Sequence, residues 1–440
     1  MLNNFVSFIG IFVLLGIAYL LSDNKKKINW KLVSWGIGLQ LVFAFIILWT
    51  KPGRVFFAWI KDAVEVLLGF TRAGSVFVFG GLVDNIDSFG YIFAFQVLPT
   101  IIFFSSFMSV LYHLGIMQKI VVVMAKAMTK FMGASGAESL SCAANVFVGQ
   151  TEAPLVIKPY IKTMTKSEVM TLMTGGMATV AGGVMAAYVG MGVDAGHLLA
   201  ASIMSAPAAI VMAKLLVPEV EESQTAGDVK LQLEKTSVNV IDAAASGAAD
   251  GLKLALNVAA MLLAFIALID MVNFFIVKLS GLFLTDPLTF QGLLSYIFAP
   301  IAWIMGVPKA DMYEIGKLLG IKTVLNEFVA YAELSKVVGK LSERSVVIAT
   351  YALCGFANFS SIAIQIGGIS ALAPGKKHML AKLGMKSMIG GTLAAFLTAT
   401  IAGMLYQEPT KALDNMKDGK KVSCNTVYEK DIDYWRLISD

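Results

Sequence analysis

The sequence predicts an all-α polytopic membrane protein: eight spanning helices plus two opposed re-entrant hairpins, arranged as an inverted repeat. Three observations predict it. The 440 residues are 57% hydrophobic and 15% charged, with a mean hydropathy of +0.74, well above a soluble domain of ordinary composition. Apolar runs close to the roughly 20 residues that cross a hydrocarbon core of about 30 Å recur along most of the chain. Two further stretches, one in each half, carry an acidic residue near their middle and are followed by a polar interruption inside an apolar helix.

The apolar stretches at 5–21, 30–50, 91–116, 168–192, 196–216, 252–280, 345–372 and 382–406 read as the eight spans. No basic residue precedes the first; Lys25, Lys26 and Lys27 follow it, and no small-residue cleavage site is present. It therefore reads as a retained helix with its N-terminus outward. An even number of spans puts both termini on the outer face. The linkers that then face the cytoplasm carry Lys119, Lys126, Lys130, Lys162, Lys166, Lys376 and Lys377, in keeping with the positive-inside rule. Residues 55–70 alternate apolar and charged positions at helical spacing, the pattern of an amphipathic helix lying in the interface. The expected organisation is N-terminal scaffold helices over 1–116, a first repeat over 117–216, a polar connector and scaffold helix over 217–312, a second repeat over 313–406, and a polar tail over 407–440 to which no function is assigned.

Several function classes fall away. The formal net charge is +5, but the lysines sit at the ends of apolar runs, so they report topology and not a nucleic-acid partner. Cys142, Cys354 and Cys424 match no metal-ligand spacing and read as packing residues. No HExxH, GxxxxGK[ST] or GxGxxG pattern occurs, which leaves zinc hydrolysis and ATP coupling without a basis. Gly133-Ala134-Ser135-Gly136 matches the short pattern of rhomboid-type intramembrane proteases, yet His113, His197 and His378 fall near helix ends or loops, where none supplies the base that chemistry needs. The expectation is no enzyme and no cofactor. Asp270 and Lys158 are placed for snorkelling to the interface, and Phe147 and Phe328 for packing.

The two interrupted stretches, 138–165 and 313–340, read as re-entrant hairpins. Non-helical backbone at membrane depth persists only where protein buries it or where it lines a water-filled cavity. The first hairpin holds Gln150-Thr151-Glu152, and 27 residues past Glu152 lies the break Ala178–Gly183. The second holds Asn326-Glu327, and 31 residues past Glu327 lies the break Phe356–Ser361. Paired interruptions in two halves point to a midplane binding site in a secondary transporter. Glu152 and Glu327 are the ionisable residues best placed at depth, where a charge is functional by default. Gln150, Thr151, Asn358 and Ser361 offer donors and acceptors to a polar, uncharged, hydroxyl-rich ligand. Asn145 and Val148, before the first hairpin's tip, and Thr179, in the broken helix, offer oxygens suited to a hard cation.

At these residues the sequence resembles the bacterial concentrative nucleoside transporter family: Gly149-Gln150-Thr151-Glu152-Ala153-Pro154, then Asn326-Glu327-Phe328-Val329-Ala330, then Phe356-Ala357-Asn358-Phe359-Ser360-Ser361. The resemblance covers roughly residues 1–406. It implies nucleoside import across the bacterial cytoplasmic (inner) membrane by cation symport, as a homotrimer with elevator-like movement of a domain built from the two repeats. By the same resemblance Gln150, Thr151 and Glu152 read the nucleobase, Glu327, Asn358 and Ser361 hold the ribose hydroxyls, and Phe356 lies near the ligand. Sodium is the implied coupling ion, held by Asn145, Val148, Thr179 and the Val180 carbonyl; a proton-coupled symporter and a passive channel or facilitator are the alternatives.

Overall fold

In hydrocarbon each backbone N–H and C=O must be paired within its own segment, which a helix achieves and an open strand does not; among the described residues every regular element is helical. The computed structural model describes residues 2–225, 237–284 and 287–407, so Cys424 and all but the first residue of the expected tail lie outside the described residues. The chain runs through α1 (Leu2–Leu20), α2 (Trp30–Trp49), α3 (Lys51–Phe79), α4 (Leu98–His113), α5 (Ile116–Met132), α6 (Gly136–Asn145), α7 (Lys166–Ala178), α8 (Gly182–Gly190) and α9 (Ala195–Leu216). It continues with α10 (Val240–Ser280), α11 (Phe290–Ile304), α12 (Met312–Val324), α13 (Glu327–Val337), α14 (Glu343–Leu353), α15 (Phe359–Leu372) and α16 (Lys377–Leu405).

Among the described residues, seven stretches are long and apolar enough to cross a membrane: Leu2–Leu20, Trp30–Trp49, Phe93–His113, Lys166–Gly190, Ala195–Leu216, Val240–Ser280 and Pro374–Leu405. The eighth, 345–372, is present as two pieces, α14 and α15, parted by a non-helical segment. The hairpins also form. α6 and the short turns Ala153–Val156 and Lys158–Ile161 make the first, α12 and α13 the second.

Contacts with α1 place the two hairpin bases at opposite ends of the molecule. At the start of α1, Asn4 donates to the Met404 carbonyl at 2.9 Å and accepts from Arg344 Nη1 at 2.9 Å. Arg344 also donates through Nε to the Gly306 carbonyl at 2.7 Å, on the chain leading into the second hairpin. Beyond the other end of α1, about 28 Å away at 1.5 Å per residue, Asp23 pairs with Lys166 and Lys386 and its N–H donates to the Leu216 carbonyl. Two residues earlier on α9, Lys214 forms a buried ion pair of 2.5 Å with Glu138, at the base of the first hairpin. Glu138 is further held by Thr171 Oγ1 at 2.8 Å and closes a capping box with Ser135, while Lys214 Nζ also donates to Ser167 Oγ at 2.9 Å, so this ion pair is hydrogen-bonded on both sides, as a buried pair must be.

Small residues let helices approach closely where lipid offers no hydrophobic drive. Ala243, Gly247, Gly251 and Ala255, four residues apart, are the buried face of α10, and a Cβ on Gly247 would lie 2.6 Å from Ser109 Cβ of α4. Away from this stripe the apolar surface of α10, with Leu256, Leu263, Phe274 and Phe275, is exposed on the single chain.

Local structure departs from the sequence reading in four places. α10 begins at Val240 and not near 252, because Asn239 caps it by accepting from the Asp242 N–H at 2.9 Å while the Asp242 carboxylate accepts from the Val238 N–H at 2.8 Å. α3 extends over Lys51–Phe79, past the expected 55–70, from a Thr50 cap to Gly80. α5, expected as a lysine-bearing linker, is an amphipathic helix burying Met117, Val121, Ala125, Met128 and Met132. α11 has 15 residues, too few for a full span, and for that reason escaped a hydropathy reading.

Candidate functional site

The site is built where the two breaks cross. α7 stops at Ala178, and Thr179 takes an extended conformation (φ −126°, ψ 169°) before α8 starts at Gly182. The other break runs from Cys354 to Asn358. The Phe356 N–H donates to the Thr179 carbonyl at 3.2 Å, joining the two freed backbones. Gly355 makes this approach possible: it has φ 136°, and a Cβ there would lie 2.8 Å from the Met177 carbonyl oxygen.

At the second hairpin, Glu327 is the first residue of α13 and is 4% exposed. Its Oε1 accepts from the Tyr188 hydroxyl of α8 at 2.9 Å, and its Oε2 accepts from Asn358 Nδ2 at 3.1 Å. The Asn358 amide is oriented by chemistry: its Oδ1 caps α15 by accepting from the Ser361 N–H at 2.9 Å and the Ser360 hydroxyl at 2.8 Å, which turns its NH2 toward the carboxylate. The N-terminal end of α15 thus faces a negative charge, the favourable sense of the helix dipole. Lys322, fully buried five residues before Glu327, donates to the Ala352 carbonyl at 2.8 Å.

At the first hairpin, Gln150 is buried, and its Nε2 donates to Ser361 Oγ at 3.1 Å. Thr151 is half-buried and lies over Gly368, where a Cβ would come within 3.1 Å of its Cγ2. Its hydroxyl donates to Glu152 Oε1 at 2.9 Å. Glu152 is exposed, so the two carboxylates expected to be alike differ: Glu327 is enclosed by protein, whereas Glu152 is exposed and its Oε2 folds back over Gly149 at the hairpin's tip. The Phe147 carbonyl accepts from the Gly182 N–H at 3.0 Å, fastening the hairpin to the first break.

Asn145 and Thr179 meet around Gly175. Thr179 Oγ1 donates to the Gly175 carbonyl at 3.0 Å, and Asn145 Nδ2, which donates to the Ser141 carbonyl at 3.1 Å, would lie 3.4 Å from a Cβ on Gly175. Asn145 is 1% exposed, and among the described residues its Oδ1 has no hydrogen-bond partner. An orphaned buried carbonyl oxygen calls for explanation, and a neutral amide oxygen is a donor suited to a hard cation. Val148 is half-buried in the turn after α6 and Val180 is buried in the break. Phe356 is half-buried in the second break, and Phe328 packs edge-on against Phe93 and Tyr188.

Tyr188, Gln365 and Lys322 escaped the sequence reading. Gln365 had a signal, since it follows Ser361 by four residues on α15 and so shares its face. Lys322 had one too, as a lysine inside an apolar run. Tyr188 had none, because its partner Glu327 is 139 residues away.

Opposed hairpins and two crossing breaks that converge on buried amides, a hydroxyl and one carboxylate define a membrane transport protein for a small polar solute. Models described as the C-terminus and N-terminus of the Na+ dependent nucleoside transporter match residues 197–403 and 9–82, and a model described as nucleoside recognition matches 94–195. The chain is 46% identical over 397 residues to the uncharacterized transporter YutK of Bacillus subtilis, covering 90% of this chain and 98% of that protein. It is 44% identical over 418 residues to sodium/nucleoside cotransporter 1 of Rattus norvegicus, covering 91% of this chain but 64% of that longer protein. A solved structure of CNTnw in an inward-facing substrate-bound state superposes with a TM-score of 0.88 at 43% identity, covering 96% of this chain and 100% of that one.

The chain belongs to the Na+-dependent, concentrative nucleoside transporter family. It is a multi-pass membrane protein of nucleoside transport and not an enzyme.

Proposed function

We propose that this protein imports nucleosides across the bacterial cytoplasmic membrane by sodium symport, through elevator-type alternating access in a homotrimer. The observation that carries the reading is Glu327: a buried carboxylate whose hydrogen bonds come from α8 of one half and the α14–α15 break of the other. A ligand seated there touches both halves at once. Glu327, Asn358 and Ser361 hold the ribose hydroxyls, a carboxylate accepting from hydroxyls being the stronger, charge-assisted kind of bond. Gln150, Thr151 and Glu152 read the base, and Phe356 packs beside it. Asn145 Oδ1, Thr179 Oγ1 and the Val148 and Val180 carbonyls receive the sodium; the unpartnered Asn145 oxygen supports this.

The basic end of α1, with Lys25, Lys26, Lys27, Lys166 and Lys386, supports a cytoplasmic position for the first hairpin's base and outer positions for both termini. The exposed apolar face of α10 supports a lipid or subunit contact there. One cation suffices energetically. Moving a charge down about 100 mV contributes roughly 2.3 kcal/mol, and a tenfold sodium gradient about 1.4 kcal/mol, together enough for roughly 500-fold accumulation.

The test is equilibrium binding of uridine to purified protein with sodium titrated against choline. Uridine affinity should rise with sodium in the wild type, and Asn145→Ala should blunt that rise while keeping most of the affinity at saturating sodium. An unchanged sodium dependence in Asn145→Ala would move the cation elsewhere.

A further inference from the structure

We propose that Gln365 is a positioning residue that sets nucleoside selectivity by fixing which way round the Gln150 amide faces. The inference rests on the proposed base-reading role of Gln150.

A carboxamide has two ends of equal size and opposite polarity, so its neighbours decide its orientation. Gln365 is 1% exposed, and its Nε2 lies 3.0 Å from the Met173 backbone carbonyl. A carbonyl only accepts, so the end of Gln365 facing Met173 must be the NH2. The second hydrogen of the same NH2 points at Gln150 Oε1, 3.0 Å away. Gln150 must then turn its carbonyl to Gln365 and its NH2 to Ser361 Oγ, at 3.1 Å. Polarity is passed from a backbone carbonyl of α7, through Gln365 of α15, to the first hairpin. Reversing Gln150 would set NH2 against NH2 in a buried site.

The packing is built to hold the pair. A Cβ on Gly176 would lie 2.6 Å from Gln365 Nε2 and 2.9 Å from Gln150 Cβ, so α7 makes room for both amides by omitting a side chain. Among the described residues Gln365 Oε1 is buried without a hydrogen-bond partner; turning the amide over would take its NH2 away from both acceptors and set its oxygen against theirs.

Selectivity follows because nucleobases differ in the polarity of their edges. Uracil presents a carbonyl beside a ring N–H, cytosine an amino group beside a bare ring nitrogen. An amide held one way round discriminates between these patterns; one free to turn serves both. Gln365 touches no substrate in this scheme and acts through Gln150.

The experiment is a competition panel of uridine, cytidine and adenosine binding to the purified full chain, in monodisperse preparations of the wild type, Gln365→Met, Gln150→Ala and the double variant. Gln365→Met should change the uridine-to-cytidine affinity ratio at least about fivefold, the scale of one buried hydrogen bond, and should change it no further in the Gln150→Ala background. Gln365→Asn, too short to reach both Met173 and Gln150, should act in the same direction and serves if the methionine variant fails to fold. A uniform loss for all three nucleosides, or an unchanged ratio, in a Gln365 variant while Gln150→Ala shifts the ratio would overturn the role of Gln365. An unchanged ratio in Gln150→Ala would instead overturn base reading by Gln150, and this inference with it.

Discussion

Burying a carboxylate is costly unless it is hydrogen-bonded and electrostatically compensated, and Glu327 meets the condition with Tyr188, Asn358 and the N-terminal end of α15. Replacing it with Gln keeps the shape and removes the charge. Glu327→Gln is expected to lower nucleoside uptake about 10- to 100-fold, the range for a hydrogen bond to a charged group; radiolabelled uptake at wild-type rates would sink the ribose assignment. Tyr188→Phe deletes one donor from the same carboxylate and should raise the apparent KM roughly tenfold, measured in the same assay. At this scale the sequence was informative where chemistry is local. Glu327, Asn358 and Ser361 stood out as polar residues inside apolar segments, and so did Gln150. Tyr188 looked like any aromatic of a buried helix, because only the fold brings it to Glu327. Glu152 looked equivalent to Glu327 and is not, since exposure depends on how the hairpin is seated.

Elements are held by caps, breaks and close approaches. Gly355→Ala places a Cβ at φ 136° and against the Met177 carbonyl; strain of this kind costs about 1–3 kcal/mol before the clash is counted. A lower Tm and loss of uptake are expected, and an unaltered Tm would mean that the breaks need not cross so tightly. The base of the second hairpin hangs on Asp311, outside the spans. Its carboxylate accepts from Ser342 Oγ at 2.7 Å, Ser345 Oγ at 2.6 Å and the Ser342 N–H at 3.1 Å. Partial burial pushes the carboxyl up, but these donors outweigh it and hold it below the usual carboxylate range. A depressed folded value contributes stability above the unfolded value of about 3.9 and loses it as pH falls through the folded value. Thermal unfolding from neutral pH down to acid should therefore show a drop in the wild type that is smaller in Asp311→Asn, the variant being the less stable at neutral pH; equal curves would remove Asp311 as the anchor. Spans and breaks were legible as elements because length and polar interruption mark them. α5 and α11 were not, since an amphipathic helix and a 15-residue apolar helix both fall outside a search for full spans.

For the whole molecule, the inverted arrangement was legible from the order of two hairpins among eight spans, and the anchors at either end of α1 bear it out. What the chain could not display is how the breaks cross, which depends on backbone contacts between Gly355, Phe356 and the Met177–Thr179 segment. The central claim is that this geometry couples nucleoside entry to a sodium gradient. Its most direct test is uptake of radiolabelled uridine into proteoliposomes of the purified protein, with an inward sodium gradient set against an equal choline gradient at matched pH. Accumulation above equilibrium with sodium and none with choline is the expected result; accumulation that needs an inward proton gradient instead, or mere equilibration under every gradient, would contradict it.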